Sequence, residues 1–316
     1  MTWLILEGID GAGKTRLARA LRDTYQWDYE HLDAESGAYV HLANNWRYYP
    51  KGRNVIWDRG HLGEFVYGPE RGYLPDVGSL RLMEALAINH GAVQIWVKRS
   101  PRACADVATS RSYAELCLHE SRYQELCSSR DLALRLAPMD SPDDLGQLVR
   151  RFSVLDEHAR RQVGRCLDDE GVGTTKPRLW LLGEQQNPSA PVHVPFATRV
   201  GLTLVWPHVD PRYVRVSNAL EREVSGRSLL ERWVSLGEPE IVTLGRVARD
   251  ACVEAELPVL HDFPHPNYWS RFFSTRADEW HEQLEAVLNS VTPPPAESLL
   301  GFVSGVVDLV STVMSE

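Results

Sequence analysis

Short apolar runs of strand length recur along this chain, and segments with helical spacing separate them. In the first half, the strand-length runs and helical segments occupy residues 3–6, 16–22, 30–34, 52–59, 78–89, 93–97 and 101–130. Strands that alternate with helices are typical of a mostly parallel sheet covered by helices on both faces. We therefore predict an α/β fold in which ligands bind at the carboxyl ends of the strands.

The first strand runs into a glycine-rich turn, Gly8–Thr15, that fits the phosphate-binding pattern G-x-x-x-x-G-K-[ST]. Its glycines permit close backbone approaches, and successive N–H groups then point at phosphate oxygens near the positive end of a helix dipole. An ordinary glycine-rich βα turn is disfavoured because the full motif, the strand and the helix are all present. We expect Lys14 to reach the β- and γ-phosphates of ATP and the Thr15 hydroxyl to hold Mg²⁺. The residues predicted to bind the phosphates are Gly8, Gly11, Ala12, Gly13, Lys14 and Thr15.

The second half repeats the alternation of strands and helices without a second phosphate loop. Strand-like runs begin at Arg178 and Glu240, and a shorter one spans 258–260. The acidic, glycine- and proline-containing stretch before them is typical of a linker. Apolar positions between 299 and 314 follow helical spacing, so this helix either packs back on a domain or forms a homodimer with another subunit. The predicted division is a first α/β domain over 1–165, a linker over 166–177, a second, smaller α/β domain over 178–290, and a proline-rich break with an amphipathic helix over 291–316.

Composition narrows the class of protein. The length of 316 residues favours two domains, and 43% apolar with 24% charged residues is typical of a soluble globular chain. A net charge of −9 excludes a molecule that is basic overall, although not a local basic groove for nucleic acid. The five cysteines show no CxxC pair, which favours reduced thiols in a cytoplasmic protein. We expect no membrane span and no signal peptide, because the chain enters a core strand at once and lacks a run of about 18 apolar residues.

The run Leu6–Thr15, followed by Asp58-Arg59 at a strand end, resembles thymidylate kinases and related deoxynucleotide kinases. The longer run Asp58–Pro69 resembles the version found in phage members of that group, and the resemblance covers about 1–165. It implies a P-loop kinase fold that uses ATP and Mg²⁺. It also implies that Asp10 meets the acceptor sugar or hydroxyl, that Arg59 grips the acceptor phosphate, and that Asp58 reaches the metal through water.

In that family a lid after the third strand delivers arginines to the transferring phosphoryl group. The arginines in the matching region are Arg99, Arg102, Arg111 and Arg122. We expect Arg111 to be the lid arginine, whereas the others have an equally good interpretation as solvated helix residues. The chemistry requires such a group, because charge on the transferred phosphoryl is held by the metal, the loop lysine and arginine.

Five pieces of the second half, in order, resemble the uracil-DNA glycosylase superfamily over about 177–290. They are Gly183-Glu184, Pro195-Phe196 with Gly201 beyond, a strand ending at Asn218, Leu244–Ala248, and His265-Pro266-Asn267. The resemblance implies that Phe196 stacks on a flipped base, that Asn218 reads its polar edge and that His265 sits by the base oxygen. Trp269 and its aromatic neighbours are candidates to wedge into a DNA stack, with core packing as the alternative. Residues 185–188 are Gln-Gln-Asn-Pro instead of the short Pro-Gly turn that carries the water-activating residue, which favours base recognition without cleavage.

These features leave more than one function open. The favoured hypothesis is a kinase that phosphorylates 5-hydroxymethyluracil in DNA during thymidine hypermodification, in the host cytoplasm if the chain is phage-encoded, with the second domain presenting the base. Its alternative is a thymidylate or other deoxynucleotide kinase that acts on free nucleotides. A DNA glycosylase with an appended ATPase is disfavoured by residues 185–188. A non-catalytic binding protein is disfavoured by the intact Lys14, Thr15, Asp10 and Arg59.

Overall fold

The computed structural model contains two five-stranded sheets. Each sheet has a strand at its centre that leads into a loop rich in functional residue types. The structure describes residues 3–32, 42–43, 46, 53–72, 76–107, 110–128, 137–139, 171–184, 194–220, 228–268 and 277–291.

The first sheet is parallel throughout, in the order β2-β3-β1-β4-β5. Its strands are β1 (Trp3–Glu7), β2 (Asp28–His31), β3 (Val55–Asp58), β4 (Ala92–Val97) and β5 (Ala137–Met139). Every side chain of β1 and β3 is buried, which explains why these strands are continuous apolar runs without alternation. The predicted α/β fold with a parallel sheet is confirmed for this half.

The helices of the first half connect these strands. They are α1 (Lys14–Tyr25), α2 (His61–Tyr67), α3 (Val77–Asn89), α4 (Pro101–Ala105) and α5 (Tyr113–Ser128), and a 3-10 turn over Gly68–Arg71 follows α2. The helical pattern over 101–130 therefore corresponds to two helices instead of one. Ser100 caps the first of them by accepting a hydrogen bond from the Ala103 N–H, and Pro101 occupies the first turn, where its missing N–H costs nothing.

The second sheet has the order β10-β9-β7-β8-β6 and is parallel except where β6 meets β8. Its strands are β6 (Val172–Gly173), β7 (Leu179–Gly183), β8 (Val214–Asn218), β9 (Glu240–Leu244) and β10 (Val259–Phe263). Its helices are α6 (Arg199–Leu204), α7 (Leu229–Ser235), α8 (Arg246–Glu254) and α9 (Ala277–Val291). Val172 and Gly173, which lie inside the linker predicted over 166–177, pair with β8.

Helix α3 lies between the two sheets. Nearly all its side chains are buried, the pattern expected of a helix covered on more than one side. One continuous apolar cluster joins residues of β1, α3 and the second sheet. The contact with α6 is so close that a Cβ on Gly78 would lie 1.8 Å from the Leu202 carbonyl oxygen. Asp76 caps α3 by accepting a 2.7 Å hydrogen bond from the Ser79 N–H.

Some predictions lie outside the described residues. They concern Trp269, the Gln-Gln-Asn-Pro segment at 185–188, and the C-terminal helix predicted within 291–316. Among the helices that the structure describes, none combines the length and apolar character needed to cross a bilayer.

Candidate functional site

The turn between β1 and α1 has the backbone conformation of a phosphate cradle. Gly8, Gly11 and Gly13 adopt φ values of 140°, 82° and 101°, which side chains with a Cβ rarely adopt. A Cβ on Gly8 would also lie 2.5 Å from the carbonyl oxygen of Val97 on β4. The glycine spacing that suggested the loop therefore has two physical causes, positive φ and close packing against a neighbouring strand.

Lys14 lies folded over this loop. Its Nζ donates hydrogen bonds to the carbonyl oxygens of Gly8 at 2.7 Å and Ile9 at 2.8 Å, and the side chain is only 6% exposed. Burial, and after it the nearby Arg59, lower the pKa of Lys14 to about 8, although the carboxylate of Asp10 opposes the shift. A poorly solvated ammonium held by two neutral carbonyls gains strongly from anionic oxygens, so Lys14 is well placed to bind phosphate.

Thr15 and Asp58 meet across the carboxyl ends of β1 and β3. The Thr15 hydroxyl donates a 2.6 Å hydrogen bond to Oδ2 of Asp58, which also accepts a 3.1 Å hydrogen bond from the Tyr29 hydroxyl and lies 3.2 Å from Nδ1 of His31. The other oxygen, Oδ1, is buried and has no hydrogen-bond partner among the described residues. A buried orphan acceptor is costly, so this oxygen is a good candidate for a ligand that the protein alone does not supply.

These oxygens fit Mg²⁺. Carboxylate and hydroxyl oxygens are its preferred protein ligands, and it usually takes only one or two of them, with substrate phosphates and water completing the shell. The described residues contain no cluster of three or more His, Cys, Asp or Glu side chains that would form an all-protein metal cage. The pair Thr15 and Asp58 is therefore suited to a metal that arrives with a phosphorylated ligand.

Arg59 follows β3 in a strained conformation, with φ at +85°. Its N–H donates to the Leu6 carbonyl at 3.0 Å, and its Nη2 donates to Oδ1 of Asp10 at 2.9 Å. Burial lowers the pKa of the Arg59 guanidinium, but Asp10 together with Tyr67, Tyr123 and Asp58 outweighs burial, and the net pKa is raised. Such backbone strain outside glycine concentrates at functional sites, where it fixes the direction of a side chain.

Arg111 reaches the same carboxylate from the other side. Its Nε lies 3.6 Å from Oδ2 of Asp10, and its guanidinium carbon lies 5.8 Å from the centre of the Tyr67 ring. The structure thus brings Asp10, Arg59 and Arg111 together, as the sequence predicted for the acceptor carboxylate and the lid arginine. Their catalytic roles stay a prediction.

The other arginines of the predicted lid region have different positions. Nη1 of Arg99 donates to the Gly11 carbonyl at 3.1 Å and so supports the phosphate loop. Arg122 donates to the Val66 carbonyl at 2.5 Å, whereas Arg102 is exposed on α4. Arg99 and Arg122 are therefore part of the packed structure around the site.

Glu7 was not among the residues that the sequence singled out, although it directly precedes the first glycine of the loop. It is fully buried, and its oxygens accept hydrogen bonds from the Leu62 N–H at 2.9 Å and the Tyr123 hydroxyl at 3.1 Å. Burial raises the pKa of Glu7 to about 7, partly opposed by these hydrogen bonds and by Lys14. This carboxyl connects the base of the loop to α2 and α5.

A second cluster of functional side chains lies where β7 and β8 end. A Cβ on Gly183 would lie 2.6 Å from Cζ of Phe196 and 2.9 Å from Oδ1 of Asn218, so both side chains converge over this glycine. The ring of His265 lies 6.2 Å from that of Phe196, centre to centre. Phe196 itself has φ at +55°, another strained residue outside glycine. The three residues that the sequence assigned to a base site are thus neighbours.

Glu184 completes this cluster. Its Oε1 accepts a 3.3 Å hydrogen bond from the Val247 N–H in the first turn of α8, and a Cβ on Gly245 would lie 2.3 Å from the same oxygen. Burial lowers the pKa of His265, and the Glu184 carboxylate opposes part of that shift. The carboxylate of Glu184 is therefore engaged with a helix N-terminus. Nδ1 of His265 accepts a 3.2 Å hydrogen bond from the Asn267 N–H, so Nε2 is the ring nitrogen that a ligand would meet.

Comparison with known proteins yields structural likeness only. No protein-family model and no curated protein sequence matches this chain. The YorR protein of Bacillus subtilis, solved in complex with phosphorylated GDP, is 18% identical with a TM-score of 0.43, over 51% of this chain and 99% of its own. Deoxyadenosine kinase from M. mycoides, with dCMP and dCDP, is 12% identical with a TM-score of 0.35, over 51% of this chain and 100% of its own. The structure of the same enzyme with dCTP is 12% identical with a TM-score of 0.32, over 49% of this chain and 99% of its own.

Proposed function

We propose that this chain is an ATP-dependent phosphotransferase whose site lies at the carboxyl ends of β1 and β3. The observation that carries the proposal is the convergence of a phosphate cradle containing Lys14 with two further groups. One is the pair Thr15 and Asp58, and the other is the cluster of Asp10, Arg59 and Arg111. Each group matches one requirement of phosphoryl transfer, namely phosphate binding, metal binding and orientation of an acceptor beside arginine.

The residues divide the work as follows. Loop N–H groups and Lys14 bind the β- and γ-phosphates of ATP, and the oxygens of Thr15 and Asp58 would hold Mg²⁺. When bound, that ion neutralises phosphate charge. Arg111 stabilises the negative charge on the transferred group, since a preorganised guanidinium costs no reorganisation at the moment of reaction. Asp10 accepts the hydrogen bond of the acceptor hydroxyl and serves as its orienting carboxylate or general base.

For the acceptor, we propose 5-hydroxymethyluracil within DNA. Support comes from the second cluster, where an aromatic ring, an amide and an imidazole surround Gly183. Such a set suits a flipped base, with Phe196 on its face and Asn218 and His265 on its polar edge. Glu184 is bound to the first turn of α8, which supports binding without hydrolysis.

A free deoxynucleotide is the alternative acceptor, and a separate observation favours it. The guanidinium carbons of Arg59, Arg71 and Arg111 all lie within 6.0 Å of the centre of the Tyr67 ring. Three cations gathered in one place suit an acceptor that carries its own phosphate.

The deciding experiment incubates the chain with γ-labelled ATP and Mg²⁺ and offers dTMP or duplex DNA containing 5-hydroxymethyluracil. Label on the DNA supports the first acceptor, and label on dTMP alone supports the second. Lys14→Ala is the control, since it removes charge stabilisation and is expected to lower transfer at least 100-fold. Wild-type transfer to neither acceptor, equal to that of Lys14→Ala, would refute the kinase. Base release from uracil-containing DNA would restore the glycosylase hypothesis.

Gly183→Ala tests the base site without touching the phosphate loop. Its Cβ would collide with the ring of Phe196 and the amide of Asn218, so we expect loss of labelling of DNA with unchanged ATP binding. Gly237→Ala is the control for destabilisation alone, because its Cβ would meet no heavy atom within 4 Å while the φ of +85° strains an alanine there. Equal labelling of DNA by both variants would show that the acceptor base does not bind at Gly183.

A further inference from the structure

The carboxylate of Glu70 receives side chains from three positions of a single segment. Glu70 lies in the 3-10 turn after α2. Its Oε2 accepts a 2.9 Å hydrogen bond from Nη1 of Arg111, and its Oε1 is hydrogen-bonded to Nε2 of His119 and lies 3.6 Å from Nη1 of Arg122. One carboxylate thus joins the loop before α5 to two successive turns of that helix.

Two other carboxylates approach Arg111, but each has a different primary partner. Glu115 lies 3.4 Å from Nη1 of Arg111, while its Oε2 accepts 2.7 Å hydrogen bonds from both the N–H and the hydroxyl of Ser112. Asp10 is 3.6 Å from Arg111 and closer, at 2.9 Å, to Arg59. Glu70 therefore makes the shortest contact with Arg111 of the three.

Glu70 is itself held from the protein interior. His119 is completely buried and packs edge-on against Tyr67 with the ring centres 4.6 Å apart. Nδ1 of His119 has no hydrogen-bond partner among the described residues, so the ring directs its bonding through Nε2 to Glu70. Glu70 is itself exposed at the surface, but its hydrogen bond to a buried imidazole restricts its rotamers. Its contact with Arg111 should therefore be more persistent than that of a surface carboxylate without such a support.

We propose that Glu70 is a positioning residue for the lid arginine, holding the guanidinium of Arg111 beside Asp10 where the phosphoryl group is transferred. The proposal rests on the proposed kinase function and names a residue that acts on the reaction only through Arg111. Displacement of a catalytic group by about 1 Å costs up to roughly 100-fold in rate, so the support of that group is part of the catalytic design.

The test compares Glu70→Gln with Glu125→Gln, which makes the same change at an exposed position of α5. We expect Glu70→Gln to lower kcat about 10- to 100-fold with the KM for ATP nearly unchanged, and Glu125→Gln to match wild type. Arg111→Ala should lower kcat about 100-fold or more. If Glu70 acts through Arg111, the double variant falls no further than Arg111→Ala alone.

A second measurement does not depend on turnover. Because Glu70 binds Nη1 of Arg111, the Arg111 Nη–H signals in ¹⁵N-edited NMR spectra without ATP should be protected from exchange in wild type and Glu125→Gln and should lose that protection in Glu70→Gln. Glu70→Asp keeps a negative charge near His119 but shortens the side chain by one methylene. It should therefore fold even if Glu70→Gln does not. Its kcat should lie between those of wild type and Glu70→Gln.

Additive losses in the double variant, or unchanged kcat and Arg111 protection in Glu70→Gln, would overturn the role of Glu70 while leaving the kinase intact. Absence of transfer by the wild type itself would instead overturn the kinase, and the inference with it. The two failures are therefore distinguishable in the same set of measurements.

Discussion

Replacing Lys14 by methionine should make the protein more stable at neutral pH, although it removes two hydrogen bonds. Burial lowers the pKa of Lys14 from 10.5 to about 8, which corresponds to a destabilisation of roughly 3 kcal/mol by the charged ammonium at pH 7. Methionine has similar length and no charge. Loss of the bonds to the Gly8 and Ile9 carbonyls opposes this gain by about 1 kcal/mol each. The net expectation is ~1 kcal/mol of added stability.

The pH dependence gives the sharper result. Below about pH 8 Lys14 is charged in both folded and unfolded chains, and the full cost of burial applies. As the pH rises from about 8 towards 10.5, the folded chain loses this proton before the unfolded chain does, so the wild type gains stability and the order of the two proteins reverses. Methionine has no such proton, and kcat should fall at least 100-fold at every pH.

The assay is urea unfolding, followed by tryptophan fluorescence at several pH values between 7 and 11. Lys176→Met is the control, because Lys176 is exposed and its replacement should have no such pH dependence. A variant that is less stable than wild type at pH 7, by an amount independent of pH, would refute the reasoning. That result would mean that the Lys14 ammonium is well solvated, and not a desolvated cation that a bound phosphate would stabilise.

Three further outcomes are expected. Gly78→Ala should destabilise the protein by roughly 1–3 kcal/mol in urea unfolding, although alanine favours helices, because its Cβ would overlap the Leu202 carbonyl oxygen; a stabilised variant would contradict the packing of α3. Glu7→Gln should gain stability over wild type as the pH rises from 4.5 to about 7, since over that range the unfolded wild-type chain releases the Glu7 proton while the folded chain retains it, which destabilises the wild type; a difference that stays constant with pH would count against this. Arg99→Ala should weaken ATP binding roughly tenfold in calorimetry through loss of its bond to the Gly11 carbonyl; unchanged affinity would show that the loop needs no such support.

The strand, glycine turn and helix around Gly8–Thr15 were predictable because their determinants are local. Glycine spacing, the lysine and the flanking strand and helix all lie within 25 residues. The meeting of Thr15 with Asp58 was also predictable, since the carboxyl ends of parallel strands share one edge of a sheet. The strand boundaries in the structure differ from the predicted ones by a few residues, because residues at the end of a strand can pair without a distinct apolar pattern.

Other parts of the site had no local signal. Glu70 and Arg111 are separated by 41 positions, and neither lies in a regular strand that would fix its neighbours. The strand pairing inside the predicted linker had no signal in the sequence either, because β6 contains only two residues, too few for any periodicity. The raised pKa of Glu7 depends on burial that only the packing of α2 and α5 provides. The base-binding roles of Phe196, Asn218 and His265 stay predictions, although the fold places the three together.

The position of α3 between the two sheets affects whether either half of the chain can fold when it is expressed alone. A helix buried from both sides, with the Arg81–Glu84 ion pair in its interior, has no face suited to water. If the chain were divided between the two sheets, the half that keeps α3 would expose the apolar surface of this helix and its buried ion pair to water. Such a fragment would be prone to aggregation. We therefore expect the two halves to depend on each other for folding, so that a destabilising change far from the Gly8–Thr15 turn would lower the proposed kinase activity by unfolding the half that carries it.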